Sequence, residues 1–547
     1  MKKISFRQFS SLIDPLVGNH IAIESSILQK SSIRVSSPFP IPHRTIPEPK
    51  GQDLDFVNVA HSHLIHSDWA KIDLLSSGLT GFRVKHILLK IQKDHVLSLE
   101  FFNWVKSHKS DSLTLESYSI LIHILTKNHK FKSAESLLRN ILASDVIDLP
   151  SKLFEALLYS YRICDSSPRA FDSLFKTFAH MKKCRNATDT FCRMKEYGFF
   201  PTVESCNAYL SSLLELHRAD IVLSFYKAML RNHIPPNVYT VNMVMCAYCK
   251  LGKLQEAVEM LGTMENRGLS PNIVSYNVLI SGYCNKGLLV SAMKIKSLME
   301  KNGVQPGVVT FNTIINGFCK GGKLYEANKI FTEMKANNVS PTIVTYNTLI
   351  KGYGQVGDIE MGSQLYEEMS RNQVKPDILT YNALILGLCK EGKTKKAAYL
   401  VKDLEKEKLV PNASTFSALI TGQCMKNNSE RGFQLYKSMI RSNCHPNERT
   451  FHMLISTFCR NEDFDGAIQV MRDMMGKCMV PDSSILSELC SGLCKCGKSK
   501  LASILCDDLE ARHLLPRGFD KAKIMNTPVQ NDKQLIRQYQ GKEEINN

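Results

Sequence analysis

The chain has 547 residues, a formal net charge of +17 and a sequence pI near 9.1. That length allows several structural units, and the basic balance suits a polyanionic partner. No run approaches the ~20 apolar residues that would span a bilayer. An odd count of 17 cysteines without a close pairing framework points to reduced thiols and away from disulfides.

In chain order, the first 44 residues hold six Lys/Arg, two acidic residues and nine Ser, and a Pro-rich stretch follows from Pro38 to Pro49. This is the composition of an organellar leader followed by a disordered linker over residues 1–50, with the mitochondrion as the expected destination and the plastid as the alternative. Residues 51–167 read as degenerate helical repeats. One copy is visible at 115–149 (Tyr118, Ser119, Ala134), and 150–167 has room for a first helix only. From 168 to 517 the chain repeats every 35 residues without an insertion. The ten units are 168–202, 203–237, 238–272, 273–307, 308–342, 343–377, 378–412, 413–447, 448–482 and 483–517. Residues 518–547 form a polar tail.

Each unit carries two apolar stretches with helical spacing. In 343–377, Tyr346, Leu349, Ile350 and Tyr353 share one face, Gly354 and Gly357 act as breakers, and Ile359, Leu365, Tyr366 and Met369 line the second stretch. Pro376 lies past its end, where a helix cannot continue. A hairpin of this kind cannot bury its apolar face alone, so neighbouring copies must stack. The expected fold is all-α, a right-handed α-solenoid superhelix without sheet.

Position by position, the copies separate scaffold from candidate site. The third residue is Ser or Thr in eight of ten units, from Ser205 to Thr450. It is read here as the cap of the first helix. The fifth residue is Asn in six consecutive units: Asn207, Asn242, Asn277, Asn312, Asn347 and Asn382. Asn is a mediocre helix former and the cap is already assigned, so its recurrence points to a ligand.

The aromatic–Asn pair, the Cys-Lys-x-Gly turn (Cys249–Gly252, Cys319–Gly322, Cys389–Gly392), the mid-helix Ala (Ala257, Ala292, Ala327, Ala397, Ala467) and the terminal Pro-x resemble the pentatricopeptide repeat family, in its pure-repeat P class of plant organelles. The resemblance implies single-stranded RNA binding at one base per unit, read by the fifth and last residues. The implied pairs are Asn207/Asn237, Asn242/Asn272, Asn277/Gly307, Asn312/Thr342, Asn347/Asp377, Asn382/Asn412, Ser417/Asn447 and His452/Asp482. Val274, Val309, Val344 and Leu379 would flank the bases. The end units, Asp172/Thr202 and Ser487/Arg517, depart from the usual pairs. Ionised Asp377 only accepts hydrogen bonds and suits the N3–H of uracil, Asn/Asn takes either pyrimidine, and Ser417 leaves room for adenine. The central preference is therefore pyrimidine-rich, with U, then a pyrimidine, then A.

Lys250, Lys320, Lys390 and Arg460 recur at one place in the turn with Lys253, Lys323 and Lys393 nearby, a spacing that could follow a phosphate backbone. Seven cysteines share another position (Cys249, Cys284, Cys319, Cys389, Cys424, Cys459 and Cys494) as small packing residues. The His-x-Glu and Pro-Cys-x-x-Cys signature of zinc deaminases is absent. The expectation is a monomeric, non-enzymatic RNA binder without metal or cofactor, acting in transcript stabilisation, processing, splicing or translation with possible protein partners. The alternative is a helical scaffold that binds protein.

Overall fold

The computed structural model describes residues 38–42, 47–143, 149–516 and 518–519. Most of the expected leader, Arg517 and most of the polar tail lie outside the described residues. Among the described residues are 27 α-helices, two short 3₁₀ turns and no strand, so the chain is all-α. No helix among them is long and apolar enough to cross a membrane.

The chain divides into two compact units, Met1–Gln305 and Pro306–Asn547. Within each, the first helices of successive repeats pack side by side in one row, and each second helix packs back on its own first helix in another. This is α-solenoid packing. In the first unit the row runs from Gln52–Ile65 through Val238–Lys250 to Ile273–Asn285; in the second it runs from Val308–Lys320 to Ser483–Lys495.

The aromatic anchors drive the stacking. Tyr276, Phe311, Tyr346 and Phe451 are fully buried at the same repeat position. Burying such a side chain is worth about 1.5–3 kcal/mol. The recurrent cysteine packs against the tenth residue of the following repeat, which is often Gly. A Cβ added to Gly282 would lie 2.6 Å from Cys249 Sγ, and one added to Gly422 would lie 2.6 Å from Cys389 Sγ. Burial pushes the Cys249 and Cys319 thiols up to about 12, which fits inert packing groups.

Helix ends are set differently from the sequence reading. Gly354 does not break the first helix of its unit, which runs Ile343–Val356. It lets helices approach, since a Cβ there would meet Ala383 O at 2.9 Å. Each array repeat instead stops both helices with a left-handed residue, as at His217 (φ 58°) and His233 (φ 56°), or Gly357 (φ 94°) and Gln373 (φ 58°). The amides at and after this residue then donate back to the C-terminal carbonyls, as in His217 N→Leu214 O and Arg218 N→Leu213 O. The terminal Pro therefore follows a helix already stopped, with the left-handed residue three positions before it, as Gln373 stands before Pro376.

Part of the Pro-rich stretch, expected to be disordered, has a defined place. Phe39 N–H donates to Glu196 O at 2.8 Å, its ring meets Tyr197 edge-on at 6.0 Å, and Ile41 packs against the core of the first unit. Tyr197 and Gly198 form the turn after the Cys184–Glu196 helix, where Pro38 fits because Gly198 carries no Cβ.

Candidate nucleic-acid interface

The fifth and last residues of the repeats meet. Asn207 Nδ2 donates to Asn237 Oδ1 at 3.2 Å, Asn242 to Asn272 at 3.5 Å, Asn347 to Asp377 at 3.0 Å and Asn382 to Asn412 at 3.2 Å. The reason is helix capping. The last residue of each unit, and not the third of the next, is the N-cap: Asp377 Oδ1 accepts from Leu379 N and Thr380 N, and Asn412 Oδ1 from Ser414 N and Thr415 N. The recurrent Thr closes a reciprocal capping box from the third helical position, accepting from the cap backbone as in Asp377 N→Thr380 Oγ1 at 3.1 Å.

The same hydroxyl donates to the fifth-position Asn of the preceding repeat. Thr240 reaches Asn207 Oδ1 at 2.7 Å, Thr345 reaches Asn312 at 2.7 Å, Thr380 reaches Asn347 at 2.6 Å and Thr415 reaches Asn382 at 2.6 Å. The recurrent Asn thus holds consecutive repeats in register, a structural role that its apparent redundancy as a cap concealed. Asn242 Oδ1 is the exception: it is buried without a partner, and Ser275 replaces Thr opposite it.

Pinning Oδ1 in the cap fixes which atom is left over. Oδ2 of Asp377 and Nδ2 of Asn237, Asn272 and Asn412 make no hydrogen bond among the described residues. The remaining pairs are looser. Ser417 Oγ bonds Thr450 at 2.7 Å, Asn447 Oδ1 caps onto Thr450 N at 3.0 Å, and His452 Nε2 accepts from Asp482 N at 3.3 Å. Thr342 bonds Thr345 and does not bond Asn312. Asn277 belongs to the first compact unit and Gly307 to the second, where Gly307 N donates to Thr310 Oγ1. Asp172, an end-unit residue, accepts from Thr202 N at 2.8 Å, so that pair keeps the register.

The second residue of each repeat stands beside these pairs. Val274, Val309, Val344 and Leu379 are exposed, at 48%, 63%, 56% and 59%. Tyr239, missed in the sequence reading because its neighbours are Val or Glu, is also exposed, and it lines a cleft of about 460 Å³ with Asn207.

The cationic positions divide. Lys250 Nζ donates to Leu214 O at 2.8 Å and Lys390 Nζ to Gln355 O at 2.7 Å, each satisfying a helix-end carbonyl of the preceding repeat. Lys393 pairs with Glu391, and Arg460 bonds Ser456 O on its own helix. Lys253, Lys320 and Lys323 make no side-chain hydrogen bond or ion pair among the described residues. Part of the expected phosphate stripe is therefore inter-repeat structure. No cluster among the described residues could hold a metal ion.

Six overlapping stretches between 240 and 460 match the PPR repeat family, and 116–146 and 449–479 match the PPR repeat. The chain belongs to the pentatricopeptide repeat family. A mitochondrial pentatricopeptide repeat-containing protein of Arabidopsis thaliana is 68% identical over 201 residues, 37% of this chain and 39% of that relative. A second mitochondrial relative from Arabidopsis thaliana is 32% identical over 191 residues, 34% of this chain and 26% of its own length. The chain thus matches well under half the length of these pentatricopeptide repeat relatives. Among solved structures, the maize pentatricopeptide repeat protein PPR10 is 18% identical with a TM-score of 0.40, covering 85% of this chain and 79% of that one. PPR10 in complex with an 18-nt psaJ RNA element is 19% identical with a TM-score of 0.46, covering 86% and 75%.

Proposed function

We propose that this protein binds single-stranded RNA sequence-selectively in the mitochondrion and acts in transcript stabilisation, processing, splicing or translation without chemistry of its own. The observation that carries the reading is the polar atom left without a hydrogen bond at the Asn–cap pairs. At Asp377 it is a carboxylate oxygen, which accepts the N3–H of uracil and opposes the N3 acceptor of cytosine. At Asn272 and Asn412 it is an amide N–H, which suits cytosine N3 and tolerates a uracil carbonyl. The exposed Tyr239, Val274, Val309, Val344 and Leu379 supply apolar surface beside the bases. Lys253, Lys320 and Lys323 remain for phosphate contacts. The pure-repeat P class fits the unbroken 35-residue array, and membership of the family supports the RNA partner.

A gel-shift comparison of a 5′-UUUUUUA-type RNA with a purine-rich RNA of equal length tests the proposal. Preference for the first by about tenfold or more is expected, given roughly 1–3 kcal/mol per mismatched base. Equal affinity at physiological salt would sink it. A protein scaffold would instead keep its partners after ribonuclease treatment.

A further inference from the structure

We infer that Glu204 and Glu215 close the repeat 203–237 to RNA, so that the readable footprint begins at Asn242 although the Asn207/Asn237 pair is intact. The inference rests on the RNA reading proposed above. Asn207 and Asn237 hold the same hydrogen bond as Asn347 and Asp377, 3.2 Å against 3.0 Å. Pair geometry alone would therefore make this repeat a reader. The cleft in front of Asn207 says otherwise.

Its walls include Glu204, Glu215, Tyr239, His180 and the cations Lys176 and Lys182. Every cation there is already engaged. Lys176 Nζ lies 3.3 Å from Glu135 and His180 Nδ1 3.5 Å from the same carboxylate, while Lys182 Nζ lies 3.0 Å from Glu215. Glu204 is exposed and has no ion pair or hydrogen bond among the described residues. A base beside Asn207 would sit between Glu204 and Tyr239, and its phosphate would meet the uncompensated Glu204 carboxylate with Lys176 and Lys182 already paired to Glu135 and Glu215.

This repeat is alone in that respect. Across the array the second residue is Arg169, Tyr239, Val274, Val309, Val344, Leu379, Ser414, Arg449 or Ser484 elsewhere, and the thirteenth is never acidic except at Glu215. Two carboxylates at the two positions flanking a base and its backbone make the repeat a stop. The closure also spares the neighbouring repeats from competition over register, because a strand shifted by one base toward the N-terminus loses contact energy there.

The experiment uses the full chain and two sets of RNAs, each varied to all four bases at one position: the nucleotide facing Asn207 or the nucleotide facing Asn347. Wild-type protein should discriminate by about tenfold at the Asn347 position and by less than about twofold at the Asn207 position. The double variant Glu204→Val/Glu215→Lys should gain discrimination of about tenfold for pyrimidines at the Asn207 position. Its log-affinity against log-salt slope should steepen by about 0.7, the release expected for one added phosphate contact on a single strand. The isosteric Glu204→Gln tests the charge alone and should give a partial gain. Discrimination above about threefold at the Asn207 position in the wild type would overturn the inference, and so would a double variant that binds all four bases equally. Absence of discrimination at the Asn347 position would instead overturn the RNA reading itself.

Discussion

The worn repeats of 51–167 and the regular repeats of the array use one fold with opposite polar economies. In the array, the fifth residue bonds a cap and a hydroxyl and leaves an outward atom, as at Asp377. In the worn copy 115–149, Ser119 occupies the fifth position and bonds buried Ser160 Oγ at 2.7 Å, with nothing left to face solvent. One helical turn later a polar side chain is again directed inward at His123, which is fully buried. Its Nε2 donates to Leu157 O at 2.8 Å and its Nδ1 accepts from Ser166 Oγ at 2.7 Å. A repeat can therefore lose the Asn–cap pair and keep its packing, so packing and the proposed reading are separable and can be broken one at a time.

The largest expected effect lies in the worn region. Burial lowers the His123 pKa from 6.5 to about 4, so the imidazole is neutral in the fold. Unfolded chain takes up a proton near pH 6.5 and the fold does not until about 4, so stability is intact above 6.5 and is lost progressively between those values. The loss should reach about 3 kcal/mol near pH 4. Both tryptophans, Trp69 and Trp104, lie in this region, so their fluorescence during urea unfolding at pH 7 and pH 4.5 reports it locally. In the variant His123→Gln much of the pH dependence should vanish; an unchanged dependence would remove His123 from the account.

The next effect belongs to the array. Thr380→Val removes a hydroxyl that accepts from Asp377 N and donates to Asn347 Oδ1. It should destabilise by roughly 1–3 kcal/mol, the cost of leaving these groups unpaired, read as a lower urea midpoint with an unchanged m-value. The converse change, Ser275→Thr, offers a stiff β-branched hydroxyl to the orphaned Asn242 Oδ1 and should stabilise by about 0.5–1 kcal/mol. If Ser275→Thr weakened the fold, the ladder of Asn and Thr would not be what joins repeats. The smallest effect separates cations: Lys320→Ala should flatten the salt slope of RNA binding by about 0.7, while Lys390→Ala, whose amine is bonded to Gln355 O, should flatten it less.

Much of this was legible in the sequence, for physical reasons. The 35-residue period, the buried aromatics and the Asn positions repeat because every interface repeats. The cap was misplaced because a Thr at the third helical position and an N-cap Thr look alike in sequence, and only the reciprocal bonds separate them. The left-handed stops stayed hidden where they fall on His233, Gln373 or Lys408, residues that carry no such signal. The carbonyl partners of Lys250 and Lys390 were equally invisible, since a lysine at fixed spacing serves a phosphate or a helix end with the same charge.

The central claim is that the atom left over at the cap chooses the base. The most direct measurement is the affinity of wild-type protein and of Asp377→Asn for four RNAs that differ only at the nucleotide facing Asn347. The account predicts that the wild type prefers U and that Asp377→Asn moves the preference toward C by about tenfold, with the other positions unaffected. Identical base preference in the two proteins would contradict it.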